Sequence, residues 1–477
     1  MDSRLRASAA ELLEAAPCSL EMPAGTGKTH LLAAAAAVAG GEDRRTLVLT
    51  HTNAGVDAIR RRLRTFAVPS ALVRVETITS WAFTLVGAYS TIAGITVSDV
   101  PDWKLYNDYI NGAIRVASAS AVRDVLRSSF DQLIVDEYQD TGTEQHELVL
   151  TLMGSIEKTI VLGDRLQSIF GFGGPVVSWE EVEQSFPAFS LEIEPYRWRG
   201  HNEELGHWLL DIRPLLVEGQ PFDFDDHQVA GLRFVRSNAV TDLGRVANSF
   251  RDITESVVLL DAWAPDVAAH ASRLNGTYAV MEDLNGNFMR QQLDTLCSEG
   301  DHRLAHWFAS FAKSCLTGLA AIDGRVLEKL ALGQGVGHYT RRGFEGVLAA
   351  LDDLRTNPTY AQLELTAEEV LRAPGVRVYR WEAWTDTLEA IARTAVSCET
   401  AHENLARIRD RLRRAGRAPR QRIASRTVLV KGLEYDHVVV ANLDKMRDPR
   451  NLYVALSRAR KSVTVLGRSP RVTLSSS

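Results

Sequence analysis

The sequence predicts an α/β protein built on two parallel-sheet domains, and three observations carry that prediction. Short apolar strands alternate with helices over residues 20–60 and again from about residue 200 onward. The first strand runs into Pro23-Ala24-Gly25-Thr26-Gly27-Lys28-Thr29, a glycine-rich loop followed at once by the strongly helix-forming run 31–39. A later apolar run, Leu133-Ile134-Val135, ends in Asp136-Glu137-Tyr138-Gln139-Asp140, which sets two carboxylates at a strand tip. In a parallel sheet such loops gather at the C-terminal ends of the strands, where ligands bind.

Each element follows in order. After the loop and its helix, residues 46–49 read as a buried strand, and residues 54–63 as a helix ending in Arg60, Arg61, Arg62 and Arg64. Further strands are expected at residues 72–75, 133–135 and 159–162. Residues 91–130 break the rhythm and read as a small, mostly helical insertion. The second alternation has strands at 232–235 and 257–260, a helical stretch over 285–375, and strands again at 428–430, 437–440 and 463–466. The expected division is a first domain of residues 1–90 and 131–200 with the insertion 91–130, and a second of residues 201–284 and 401–477 with a reduced insertion 285–400.

Composition sets bounds on partners. The chain has 477 residues, 45% of them hydrophobic, enough for about two to four folded units. Its net charge of −6 means that any phosphate-binding surface is local. Cys18, Cys297, Cys315 and Cys398 form no CxxC pair, so no zinc or iron–sulfur site is expected and a reducing cytoplasm fits. The longest apolar run, 31–39, is too short to cross a bilayer, and no membrane partner is expected. The opening residues, Met1-Asp2-Ser3-Arg4-Leu5-Arg6, lack the apolar core of a signal peptide.

The chemistry lies in the two loops. Backbone N–H groups of residues 23–29 can wrap phosphates, with Lys28 as cation and the Thr29 hydroxyl as a magnesium ligand. Of the carboxylates at 136 and 137, one can hold Mg²⁺ and the other can polarise water. Four more segments follow: Leu49-Thr50-His51-Thr52-Asn53, Gly163-Asp164-Arg165-Leu166-Gln167-Ser168-Ile169-Phe170-Gly171, Lys431-Gly432-Leu433-Glu434-Tyr435, and Tyr453-Val454-Ala455-Leu456-Ser457-Arg458-Ala459-Arg460.

In order and spacing these segments resemble the superfamily 1 DNA helicases of the UvrD/Rep/PcrA type, over residues 20–200 and 425–468. The resemblance implies two RecA-like domains with ATP in the cleft between them, and ATP with Mg²⁺ as cofactors. It implies that Pro23, Ala24, Gly25, Thr26, Gly27, Lys28, Thr29 and His30 hold the nucleotide. Thr29 and Asp136 take the metal, Glu137 orients the attacking water, and Gln167 senses the γ-phosphate. Arg197 and Arg458 are the arginine fingers, groups typically worth about 10³–10⁵ in rate. Tyr196 stacks on adenine and Glu434 reaches the ribose. His51, Thr52, Asn53, Thr77 and Phe172 fall at positions contacting the DNA strand, where each stacked base is worth about 1–3 kcal/mol. Trp81 and Trp198 read as core rather than as base platforms. The arginine-rich run from Arg407 to Arg422 reads either as a solvated amphipathic helix or as a duplex or partner contact.

The resemblance has departures. Met22 stands where the leading glycine of the phosphate loop belongs, and no glutamine precedes Thr29 to read adenine. His51 occupies a usually aromatic place, and His30 one where an arginine often stacks. Ile78-Thr79-Ser80 lacks the usual Phe-His pair, and no histidine precedes Lys431. The insertions are small, as in the compact Gabija helicase subunit, so a protein partner joins single-stranded and tailed duplex DNA among the expected partners. The motifs imply 3′→5′ travel, although residues 453–460 also resemble the 5′→3′ branch. Two other readings stand beside the motor: a nucleic-acid-gated ATPase switch, or a partner-dependent subunit of a defence or repair complex without independent unwinding. A G-protein-like GTPase is disfavoured, because no Asn-Lys-x-Asp guanine reader occurs.

Overall fold

The computed structural model of the chain describes all residues except 98–101, 103–104, 170–174, 238–239, 398, 418 and 476–477. The chain packs as two units. One comprises Met1–Pro221, Asp448–Ser457 and Thr473–Ser477; the other comprises Phe222–Arg447 and Arg458–Val472.

The first unit is built on a six-stranded sheet of β1 (Cys18–Glu21), β2 (Thr46–Thr50), β3 (Val73–Thr77), β4 (Gln132–Val135), β5 (Lys158–Gly163) and β6 (Ala188–Phe189). Their order is β3-β2-β4-β5-β1-β6, and every pair is parallel. The strands are nearly continuous apolar runs because both faces are covered. Val48, Ile134, Ile160 and Leu162 share one core with residues of α1 (Ser3–Glu14), α2 (Lys28–Gly40) and α3 (Asn53–Thr65). Their neighbours Leu47, Leu49, Leu133, Val135 and Val161 enter the opposite core, as strand alternation requires. Trp81 of α4 (Ile78–Ala88) is buried there, together with Ile110 and Ala113 of the helix Tyr106–Ser118. The 91–130 region is therefore helical where described, and it shares the core of the first sheet.

Residues 201–221, grouped with the second domain by the sequence rhythm, pack with the first unit. Gly206 of the helix Glu203–Asp211 explains this locally. A Cβ there would stand 2.8 Å from Pro195 and 2.9 Å from Trp198, so the helix approaches that segment as only glycine allows.

The second unit opens with β7 (Phe222–Asp223), which pairs with β16 (Arg471–Val472). Its main sheet contains β8 (Leu232–Arg236), β9 (Val257–Asp261), β10 (Ala279–Val280), β13 (Arg422–Arg426), β14 (Tyr435–Val440) and β15 (Ala459–Gly467). The order is β10-β13-β9-β14-β15-β8, all parallel. The segment between β10 and β13 is mainly helical. It carries its own core, with Trp307, Phe311 and Trp384 stacked at 5.3 and 5.6 Å between ring centroids, and the short ribbon β11 (Leu316–Thr317) with β12 (Arg377–Val378). One strand differs from expectation. Residues 427–430 form a 3₁₀ turn, and the strand is β13, which begins inside the basic run. The apolar periodicity pointed to the wrong residues because Ser425 and Ala424 hide among arginines.

That basic run is an internal tie. Arg409 in the helix Ala401–Ala415 is 1% exposed, and its guanidinium bonds Glu382 at 2.9 Å, Asp386 at 2.8 Å and the Asp283 carbonyl at 2.6 Å. Arg417 pairs with Glu382 at 3.4 Å and also donates to the Glu282 carbonyl. Arg422 caps the carbonyls of Phe250 and Ile253 at 3.0 and 2.6 Å, and Arg420 lies 4.8 Å over the Trp381 ring. Removing one partner of such a buried set leaves charge unpaired at a cost of about 3–5 kcal/mol. Urea unfolding of the full chain should therefore show Arg409→Ala destabilised by about that amount. Arg413→Ala, whose side chain is exposed and bonds Asn285 at 2.7 Å, should stay within about 0.5 kcal/mol of the parent.

Candidate nucleotide site

Three adjacent strands of the first sheet, β4, β5 and β1, end at one edge. From β1 comes the loop 22–27, from β4 the Asp136-Glu137 pair, and from β5 Asp164 with Gln167. The loop turns through two glycines with left-handed backbone, Gly25 at φ +76° and Gly27 at φ +90°. Thr26 fastens it by donating from its hydroxyl to the Pro23 carbonyl at 2.7 Å. Lys28 and Thr29 open α2, so the N-terminal turn of that helix faces the cradle, the geometry that favours phosphate.

The cradle is backed by the 3₁₀ turn Tyr196–Trp198. A Cβ on Gly25 would stand 2.7 Å from the Trp198 ring and 2.8 Å from the Arg197 Cβ; one on Gly27 would stand 3.1 Å from the Tyr196 ring. The Arg197 N–H donates to the Gly25 carbonyl at 2.9 Å, and its guanidinium donates to the Ser457 carbonyl. Arg197 packs with the first unit, in the first domain as the sequence division has it. Tyr196 is 46% exposed beside Gly27, with the Arg199 guanidinium 4.7 Å over its ring, whereas Trp198 is 1% exposed and belongs to the core. His30 points elsewhere. Its ring sits 5.0 Å from Phe66, and burial, with Arg62 nearby, lowers its pKa and favours the neutral form.

Charge is concentrated at Lys28. Its ammonium lies 2.6 Å from Glu137 and 3.6 Å from Asp136. Burial alone would depress its pKa, but Glu137, then Asp136 and Asp164, overcome that and hold it above the ordinary lysine value. Asp136 is pushed up to about 6, chiefly by burial, with Glu137 adding to the rise and Lys28 opposing it. Glu137 sits in the left-handed region at φ +57°, a strained conformation for a non-glycine residue and a recurrent mark of functional turns. Its second oxygen accepts from Gln139 at 2.5 Å, and Gln139 in turn accepts from the Asp164 N–H at 2.9 Å. Gln167 donates to Asp164 at 2.8 Å. Gln139 was not singled out from the sequence, although it stands within the quoted segment.

The residues present fit a divalent cation held with a nucleotide. Asp136 Oδ1 is buried and has no hydrogen-bond partner, with the Lys28 ammonium 3.6 Å away. Among the described residues no three His, Cys, Asp or Glu side chains cluster as a metal site.

Beyond the cradle, the same sheet edge carries the other expected positions. His51 bonds Thr141 at 3.2 Å, Thr52 caps α3 through the Gly55 N–H at 3.0 Å, and Asn53 is exposed beside it. Thr77, at the end of β3, caps α4 through the Ser80 N–H at 3.1 Å. Phe172 lies outside the described residues. In the second unit, Glu434 and Arg458 immediately precede the paired strands β14 and β15. The Tyr435 N–H donates to the Arg458 carbonyl at 3.0 Å, and the Arg458 guanidinium reaches the Leu433 carbonyl at 3.4 Å.

Comparison with known proteins finds helicases. Residues 102–186 match the UvrD/REP helicase N-terminal domain. The chain is similar to the UvrD/Rep helicases of superfamily 1. The ATP-dependent DNA helicase Rep of Escherichia coli (strain K12) is 36% identical over 104 residues, which cover 21% of this chain and 16% of Rep. The exonuclease/helicase subunit RexA of Lactococcus lactis subsp. cremoris (strain MG1363) is 37% identical across 25% of this chain and 12% of RexA. The chain thus matches about a sixth of the length of the Rep relatives. The crystal structure of Pif1 helicase from Candida albicans aligns over 98% of this chain and 94% of that one, with a TM-score of 0.40 and 12% identity. No helix among the described residues is long and apolar enough to cross a membrane.

The cradle yields a graded prediction. In titrations with a fluorescent ATP analogue, Gly25→Ala should abolish binding, because its Cβ meets a buried indole and a backbone-anchored arginine. Gly27→Ala should weaken binding less, by an amount near the roughly 1–3 kcal/mol of left-handed strain, since Tyr196 is exposed and can move.

Proposed function

We propose that this chain is an ATP- and Mg²⁺-dependent DNA translocase or helicase that moves 3′→5′ on single-stranded DNA and couples hydrolysis to strand separation. One observation carries the reading: Lys28 in the glycine cradle faces both Asp136 and Glu137, with Gln167 tied in through Asp164. Few arrangements other than nucleoside triphosphate hydrolysis require all four.

On this reading residues 23–29 wrap the phosphates with backbone N–H groups, and Lys28 neutralises them. Thr29 and Asp136 would hold the cation, which supplies charge neutralisation at the β- and γ-phosphates. Glu137 orients the attacking water, and Gln167 contacts the γ-phosphate. Tyr196 stacks on adenine, and Glu434 takes the ribose. The transition state is loose and spreads charge over oxygens, so guanidinium groups stabilise it. Arg197 and Arg458 fill that role, and delivery of Arg458 by the second unit makes hydrolysis depend on domain closure. His51, Thr52, Asn53, Thr77 and Phe172 contact the strand. Single-stranded and tailed duplex DNA are the nucleic-acid partners. A protein partner is consistent with the likeness to RexA, which is named as a subunit.

The test is ATP turnover on oligodeoxythymidine together with displacement of 3′-tailed and 5′-tailed duplexes. Lys28→Ala, Glu137→Gln and Arg458→Ala should each lower turnover by at least about 10²–10³, and displacement should need the 3′ tail. Turnover that is unaffected in Lys28→Ala and Arg458→Ala would remove the mechanism. Turnover that ignores strand length would favour the gated switch over the motor.

A further inference from the structure

The Gln167–Asp164 pair continues inward. Asp164 is 0% exposed; its Oδ2 accepts from Gln167, and its Oδ1 meets the Arg213 guanidinium at 2.7 Å. Arg213 also pairs with Glu21 at the end of β1, and its guanidinium carbon lies 5.2 Å over the ring of Tyr453. Tyr453 is 2% exposed, and its hydroxyl accepts the Ala24 N–H at 2.9 Å. A continuous path therefore runs Gln167, Asp164, Arg213, Tyr453, Ala24, entirely within the first unit. It joins the side chain expected at the γ-phosphate to the opening residue of the phosphate cradle.

We propose that Arg213 and Tyr453 are positioning residues for nucleotide hydrolysis: together they fix the cradle and Gln167 in one mutual geometry. The inference rests on the hydrolytic reading above. Three features support it. A phenol hydroxyl aimed at a buried loop N–H sets the path of a backbone that must approach phosphate. A guanidinium spanning Asp164 and Glu21 holds the ends of β5 and β1 in register, so a shift at Gln167 is transmitted rather than absorbed. Tyr453 also lies on the helix Pro449–Ser457, whose next residue is Arg458, so the same path reaches the segment carrying the second-unit guanidinium. Small misplacements of preorganised groups lower turnover more than binding.

The experiment compares Tyr453→Phe, Arg213→Lys, their double variant and Lys28→Ala in the full chain. Tyr453→Phe keeps the ring, and removes the hydroxyl that accepts the Ala24 N–H. Expected is a fall of about tenfold in kcat on oligodeoxythymidine, with affinity for a fluorescent ATP analogue within about twofold and an unchanged melting temperature. Arg213→Lys should give a comparable fall, and the double variant should be no worse than the poorer single, since both break one path. Parental kcat in Tyr453→Phe, or losses that multiply in the double variant, would overturn the assignment while Lys28→Ala remains inactive. An active Lys28→Ala would instead overturn the hydrolytic reading itself.

Discussion

The first unit is organised around an ammonium taken out of water. Lys28 is 8% exposed, and burying a lone charge there would be prohibitive without compensation. Compensation requires two carboxylates within reach, and a parallel sheet supplies them by ending β1 and β4 at the same edge with β5 between. The constraint propagates outward. Glu137 accepts a strained backbone to reach Lys28, Gln139 steadies its second oxygen, and Asp164 anchors Gln139 and Gln167 alike. On the proposed reading a triphosphate replaces Glu137 as partner of the ammonium, and the carboxylate is released to water at the moment it is needed.

Charge in the second unit has the opposite use. Part of the densest run of arginines in the chain, Arg409, Arg417 and Arg422, is spent on Glu382, Asp386 and backbone carbonyls, that of Glu282 among them. Arg407, Arg411 and Arg413 stay exposed. The inward set ties the helical segment to the second sheet through bonds with demanding geometry. Such a set adds little net stability over apolar packing, yet it penalises any other docking of the same helices.

The elements with strong local signals were legible in the sequence. The glycine loop, the all-apolar helix after it and the strands at β2, β4, β5 and β9 stand where their residues put them, because continuous apolar runs admit one environment. The carboxylate pair beside Lys28 was legible because the motif order implies strand ends. Less legible were contacts made by residues with no local signature. Arg213 sits in an unremarkable helix, Tyr453 was visible only as the first letter of a motif, and Arg409 was one arginine among eight. β13 escaped because its sequence, Arg422-Ile423-Ala424-Ser425-Arg426, carries polar residues at both ends and a serine within, so the usual apolar pattern is missing. The grouping of residues 201–221 with the first unit rests on close packing at Gly206 against Trp198 and Pro195 and on the Arg213 pairs with Asp164 and Glu21, contacts with no local signature.

Ser457 ends the helix Pro449–Ser457 and Ala459 begins β15, so Arg458 is the single residue between a helix and a strand. Its backbone has no loop on either side in which to take another course. The direction from which its guanidinium departs is therefore dictated by regular structure at both of its peptide bonds.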